Sequence, residues 1–315
     1  MAVPTSQTCH LLLSLVQSLV FIALCVSIPP AIQPLNIRPI PLLNISVGSD
    51  GETNTYIHVK DLALMNPYLP DSEVTVSGFM LAVISFVLPV STFLSVWLCF
   101  TRRLSSSAGE EDRLMNLEEG DGSKVGKRRH DGKTDFLLIL TAYFYAMGTT
   151  LLITDWAKLY VGRLRPNFYA ICDYNDETNQ CDADESRQNE GRCSFPSGHS
   201  SLSMSGCMML SLYLSFKLTK TKKGNKLLRD KCCGDDCADF SFPECVYYVF
   251  LLPIFLALFV ACSRVHDNWH HPSDVIAGAL IGGLSGCWAF YQFYFRNLNV
   301  TFQSPPFIFS IFNCS

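Results

Sequence analysis

The stretch VYYVFLLPIFLALFVAC (Val246–Cys262), SRVHDNWHHPSD (Ser263–Asp274), VIAGALIGGLSGCWAFYQFYF (Val275–Phe295) decides the fold. Its two outer parts are almost wholly apolar. Each approaches the roughly 20 residues a helix needs to cross a hydrocarbon core of about 30 Å. Between them stand three histidines, two aspartates and one arginine. Read as two membrane-crossing helices joined by a short turn, the stretch places its titratable groups together at one membrane face.

Working outward, four more apolar runs appear: Leu11–Ile28, Val74–Phe100, Phe136–Trp156 and Ser200–Phe216. The last is the weakest, being rich in serine and methionine. Composition agrees with the runs. Of the 315 residues 49% are hydrophobic and 17% charged, against about 25% charged in a soluble domain. Mean hydropathy is +0.21. The expected fold class is all-α: a multi-pass bundle of about six transmembrane helices, forming one membrane domain over residues 1–315. A net charge of -4 and a pI near 6.0 provide no basic field, which argues against nucleic acid as a partner. A transporter or channel would carry polar residues and helix breaks near mid-span. Here they gather at the ends.

Lysine and arginine set the expected orientation. The linker 101–135 carries Arg102, Arg103, Arg113, Lys124, Lys127, Arg128, Arg129 and Lys133. The linker 217–245 carries Lys217, Lys220, Lys222, Lys223, Lys226, Arg229 and Lys231. Both are expected in the cytoplasm, the first as a flexible polar segment. Both termini then lie inside, and Pro29–Glu73, Ala157–Ser197 and Arg264–Asp274 lie outside. No lysine or arginine precedes the first run, so it is expected to be retained as a span. The sequon at Asn44 falls outside, where it is a glycosylation candidate; those at Asn299 and Asn313 fall inside and are expected to stay bare. Cys172, Cys181 and Cys193 fall outside, where two of them can pair; the spacing does not choose which. Cys232, Cys233 and Cys237 fall inside, as palmitoylation candidates or free thiols. No fourth ligand stands at zinc spacing beside them.

Ionisable residues beside spans are costly and mark function. Three segments bring them to the outer face. KLYVGRLRPNF holds Lys158, Arg163 and Arg165; FPSGHSS holds Ser197, Gly198 and His199; the opening stretch holds Arg264, His270 and Asp274. Arginine forks and a lysine charge suit phosphate oxygens. Ser197 and Gly198 read as a turn into a helix N-terminus, whose free N–H groups favour an anion. Together with Lys158, Arg165 and Arg264 they make a phosphate site without a metal, and no acidic cluster of magnesium type is present. His270 precedes Asp274 by four residues. On the first turn of the last span that spacing would put both on one face, the carboxylate taking a proton from one ring nitrogen and freeing the other to attack phosphorus. His199 can protonate the leaving oxygen. His266 and His271 have no such partner and are expected to be peripheral.

Lys158 with Arg165-Pro166, then Pro196-Ser197-Gly198-His199, then Ser263-Arg264 with His270 and Asp274, resembles the three-part signature of the type 2 phosphatidic acid phosphatase superfamily. GRLRPNFYAIC and SGHSSLSM further resemble its animal lipid phosphate phosphatases. The resemblance implies a phosphatase that needs no magnesium or other cofactor and works through a phosphohistidine. His270 would be the nucleophile, Asp274 its orienting partner, and His199 the general acid and then base. Lys158, Arg165, Ser197, Gly198 and Arg264 would hold the phosphate. The implied partners are the bilayer and a phospholipid or sphingolipid phosphate: phosphatidate, lysophosphatidate, ceramide 1-phosphate or sphingosine 1-phosphate. A homo-oligomer is compatible with the sequence. The expected location is the plasma membrane with an extracellular site, or an internal membrane with a lumenal one. The alternatives are a superfamily phosphatase of lipid diphosphates or sugar phosphates, and a non-catalytic lipid-binding relative.

Overall fold

The computed structural model describes residues 5–27, 39–50, 53–99, 132–220 and 244–298. Nearly all of the linkers proposed at 101–135 and 217–245, Cys232, Cys233 and Cys237, and the sequons at Asn299 and Asn313 lie outside the described residues. The helices are α1 (Thr5–Ser27), α2 (Gly78–Cys99), α3 (Gly132–Val161), α4 (Phe168–Ile171), α5 (Glu185–Gly191), α6 (Gly198–Ser215), α7 (Glu244–His266) and α8 (Pro272–Ala289), the last continuing to Phe295. Four are long and apolar enough to cross a membrane: Gly78–Cys99, Asp135–Val161, Tyr248–His266 and Pro272–Phe295; Leu12–Leu24 is a shorter apolar helix. The all-α membrane fold expected from the apolar runs is thus what forms. Two small antiparallel hairpins add to it: Leu42–Asp50 with Thr53–Lys60, and Tyr174–Asn175 with Gln180–Cys181.

The weak fourth run becomes α6, the central helix. Its serines Ser200, Ser201, Ser203 and Ser205 are fully buried. Small residues let neighbours approach its backbone closely, the usual basis of helix association in lipid. On α8 the stripe Gly278, Gly282, Gly286 lies against Ser197, Ser201 and Ser205. A Cβ on Gly282 would sit 2.0 Å from the Ser201 carbonyl oxygen, and one on Gly278 2.4 Å from that of Ser197. On the α2 side, a Cβ on Gly206 would stand 2.6 Å from the Ser85 carbonyl oxygen. Thr154 of α3 donates to Ser201 Oγ at 3.0 Å, and Ser211 Oγ bonds the Phe250 carbonyl of α7. Four helices therefore close around α6. Low hydropathy follows, because this helix meets protein rather than lipid.

At the end of the bundle away from the titratable stretch, an aromatic core of Phe93, Tyr143, Tyr213, Phe290 and Tyr294 is buried. There Asp135 of α3 accepts from Lys217 at 2.7 Å and from the Tyr294 hydroxyl at 2.8 Å, tying α3, the end of α6 and α8 together. At the opposite end, Cys172 and Cys181 are disulfide-bonded and Cys193 is a free thiol.

Candidate active site

α3 carries Lys158 in its last turn rather than beyond the helix, as the run to Trp156 had suggested. Gly162 then adopts φ 57°, with its N–H on the Lys158 carbonyl at 3.2 Å. This left-handed position suits glycine and turns the chain back on itself. Lys158 Nζ lies 3.5 Å from Asp155 and packs on the start of α6, where a Cβ at Gly198 would stand 3.1 Å from it. The bare backbone of Gly198 makes room for the ammonium group. Arg165 is buried, its guanidinium 4.5 Å over the Trp269 ring and 3.7 Å from Glu190. Burial lowers its pKa against the pull of Glu190, and its Nε has no hydrogen-bond partner.

Ser197 caps α6: its Oγ accepts from the Ser200 N–H at 3.4 Å and from Ser200 Oγ at 3.1 Å. Its own hydroxyl hydrogen stays available. The next N–H groups, of Gly198 and His199, have no intrahelical acceptor, so the helix end is built to receive an anion. His199 Nε2 is buried without a partner, within electrostatic reach of Arg264, His270, Lys158 and Arg165. All three segments therefore meet.

Arg264 is buried in the last turn of α7, with Nη2 2.7 Å from Asp267 Oδ2. Asp267 also accepts from the Thr75 N–H at 2.9 Å and the Thr75 hydroxyl at 2.7 Å, fastening the segment before α2 to the site. Burial would raise the Asp267 carboxyl, but bonds from His266 and Thr75 and the charge of Arg264 hold it below its ordinary value. Asn268 takes φ 60°, a conformation asparagine tolerates. The chain thereby reverses, and the Trp269 and His270 N–H groups both bond the Arg264 carbonyl, at 3.1 and 3.2 Å.

His270 does not stand on the first turn of α8, as its spacing to Asp274 suggested. Pro272 opens that helix and His271 is its N-cap. Proline is favoured at this first position, where no N–H is needed. The four-residue spacing still brings the pair together, with His270 Nδ1 3.9 Å from Asp274 Oδ2. That is too long for a hydrogen bond. Nδ1 instead bonds the Ser194 carbonyl oxygen at 2.7 Å. A carbonyl can only accept, so Nδ1 carries the hydrogen and Nε2 the lone pair. Burial lowers the His270 pKa from 6.5 to about 4; Asp274 opposes the shift, while Arg165 and Lys158 add to it. His270 is therefore a neutral base near pH 7.

Asp274 is wholly buried and fully engaged. Its Oδ1 accepts from Arg163 Nη1 at 2.6 Å; its Oδ2 accepts from Ser194 Oγ at 2.6 Å and from the His271 N–H at 3.0 Å. His271 is thus more than a peripheral residue: it caps α8, and its Nε2 bonds the Leu164 carbonyl at 3.1 Å. His266 is exposed and meets Asp267 Oδ1 at 3.0 Å. Asn44 lies in the first hairpin, opposite His58.

Sequence reasoning passed over Ser194, Asp267 and the role of Arg163. Ser194 acts partly through its carbonyl, which any residue type supplies, so its identity carries little signal. Asp267 follows Arg264 by three residues, one helical turn, and that spacing was the available clue. Among the described residues no group of three or more His, Cys, Asp or Glu is placed to hold a metal ion.

The chain matches the sequence profile of the PAP2 superfamily over residues 139–298. It is 37% identical to lipid phosphate phosphatase 1 of Arabidopsis thaliana, over 48% of this chain and 43% of the relative. It is 31% identical to phospholipid phosphatase 2 of Rattus norvegicus, over 55% of this chain and 62% of the relative. It is 30% identical to a putative phosphatidate phosphatase of Drosophila melanogaster, over 71% of this chain and 57% of the relative. The matches thus span between 43% and 62% of these relatives' own length. No solved structure matches the chain significantly.

Proposed function

The chain belongs to the PAP2 superfamily, and from that premise we propose that it is an integral-membrane lipid phosphate phosphatase whose nucleophile is His270. The substrates are phosphomonoesters of the phosphatidate, lysophosphatidate, ceramide 1-phosphate or sphingosine 1-phosphate type. Acyl tails stay in the bilayer while the head group enters the site from the extracellular or lumenal side. The whole chain, residues 1–315, acts as one membrane phosphatase domain.

The mechanism follows from the contacts. Lys158, Arg165, Arg264, the Ser197 hydroxyl and the α6 N-terminus offset the charge of the phosphate. His270 Nε2 attacks phosphorus, forming an N–P bond as the P–O bond to the lipid alcohol breaks. His199 gives its proton to the departing oxygen. A dianionic phosphate beside His199 favours the protonated ring this step requires. In the second half His199 takes a proton from water, the oxygen of which attacks phosphorus and releases His270. The developing imidazolium is stabilised by the Ser194 carbonyl and the Asp274 charge. Magnesium has no step to perform.

The observation that carries this reading is the 2.7 Å bond from His270 Nδ1 to Ser194 O, which leaves Nε2 free inside a ring of cations. The test is phosphate release from a panel of those four lipids by detergent-purified protein in EDTA. We expect turnover in EDTA, and a loss of about 10³-fold or more in His270→Ala, as for other deleted nucleophiles. A mutant as fast as the parent, or a strict need for magnesium, would sink the mechanism.

A further inference from the structure

Arg163 lies outside the phosphate-holding set, yet it touches both groups that frame His270. Its backbone carbonyl accepts the Ser194 N–H at 3.0 Å. Its Nη1 reaches Asp274 Oδ1 and Ser273 Oγ, both at 2.6 Å. Ser194 in turn holds His270 Nδ1 through its carbonyl and Asp274 Oδ2 through its hydroxyl. The contacts close a ring: Arg163 to Ser194, Ser194 to His270 and Asp274, Asp274 back to Arg163. Arg163 is the member that reaches into this ring from beyond the α3 terminus, placed there by the turn at Gly162.

The chemistry of the ring needs such a group. Asp274 is wholly buried, and a buried carboxylate stays charged only when paired. His270 provides no direct hydrogen bond, standing 3.9 Å away. Among the described residues, Arg163 is the one Lys or Arg side chain in contact with the carboxylate itself, at 2.6 Å; Lys158 and Arg165 act on His270 instead. A guanidinium can bond the carboxylate and Ser273 from one nitrogen, and so fix the carboxylate's rotation as well as its charge.

We propose that Arg163 is a positioning residue for the phosphatase reaction: it holds Asp274 ionised and in register with Ser194, and so fixes the tautomer and aim of His270. This rests on the phosphatase reading above. Arg163 would leave substrate affinity alone and act on the chemical step.

The test compares wild type, Arg163→Gln and Arg163→Lys as full chains in detergent micelles, with phosphatidate as substrate and EDTA present. Initial rates give kcat and KM across pH 4.5 to 8. For Arg163→Gln we expect kcat lower by about 10- to 100-fold, the usual cost of losing a group that orients a reacting residue, with KM within about threefold. The acid limb should move to higher pH, because Asp274 without its cation takes up a proton more readily. Ser194, His271 and His270 on one side, and Lys158 and Arg165 beyond, are unchanged by the substitution. Arg163→Lys keeps the charge and should hold the acid limb near its wild-type place while recovering part of kcat. Equal kcat in Arg163→Gln and wild type overturns the proposal, as does a lowered kcat with an unmoved acid limb. If Arg163→Gln does not fold, Arg163→Lys carries the test: a kcat several-fold down at constant KM supports it, and a wild-type kcat overturns it. Wild-type protein that hydrolyses none of the lipid phosphates removes the phosphatase reading itself.

Discussion

His270 sits between a carbonyl and a carboxylate, and its behaviour depends on which one takes the hydrogen. The carbonyl of Ser194 does, at 2.7 Å. Asp274 then acts through its charge. This geometry predicts a titration. Burial holds the imidazole down to about 4 in the substrate-free protein. Nuclear magnetic resonance of histidine-labelled protein should show one ring with a midpoint near 4, absent in His270→Ala. A midpoint near the ordinary 6.5 for every ring would refute the buried placement. The sign for stability follows. Between those two values the unfolded chain binds a proton that folded His270 does not, so stability rises with pH across that window and falls on acidification. The residue types of the site were legible in sequence: His270, Asp274, His199, Lys158, Arg165, Ser197, Gly198 and Arg264 all converge. The partners that orient them were not, because a backbone carbonyl leaves no mark on residue type, and an arginine two residues short of a signature position looks like a membrane anchor.

Among the elements, α6 shows how composition can mislead about a helix's place. Its serines read as a doubtful span and become the centre of the bundle. The reason is the company it keeps: glycines of α8 and Gly206 of α6 itself bring backbones into contact. Gly282 is the tightest point, a Cβ there lying 2.0 Å from the Ser201 carbonyl. Replacing Gly282 by Val should cost about 1–3 kcal/mol of overpacking. At about 2–4 °C per kcal/mol for a chain of this class, thermal unfolding in detergent should report a clear drop. Activity should fall with it, since Ser197 donates to the Asp274 carbonyl across this same seam at 3.0 Å. An unchanged unfolding midpoint in Gly282→Val would show that the α6–α8 seam is looser than described. Hairpins were the other departure. Alternation over residues 42–60 is masked by sequence rich in polar and β-branched residues, and only pairing across the turn reveals it.

For the whole molecule the testable property is sidedness. The lysine and arginine of the linkers are the basis for proposing that the site faces the outer or lumenal side, and that proposal has a direct consequence. Asn44 precedes α2 on the same side, so protein made in eukaryotic cells should lose a glycan on endoglycosidase treatment. Asn44→Gln should abolish the shift, whereas Asn299→Gln and Asn313→Gln should leave it intact. A shift that survives Asn44→Gln would reverse the orientation. The sequence by itself determined the class of fold, because burying long apolar runs in lipid is a local property of composition and length. It also supplied the residues proposed for the site, since few residue types can hold phosphate, attack it and move a proton. Tertiary structure alone decided that a serine-rich run is central, that Cys172 pairs with Cys181, and that Asp274 answers to Arg163 and Ser194 as much as to His270. Those outcomes depend on which backbones come within hydrogen-bond distance across helices far apart in the chain, and no local pattern of residues encodes a distance.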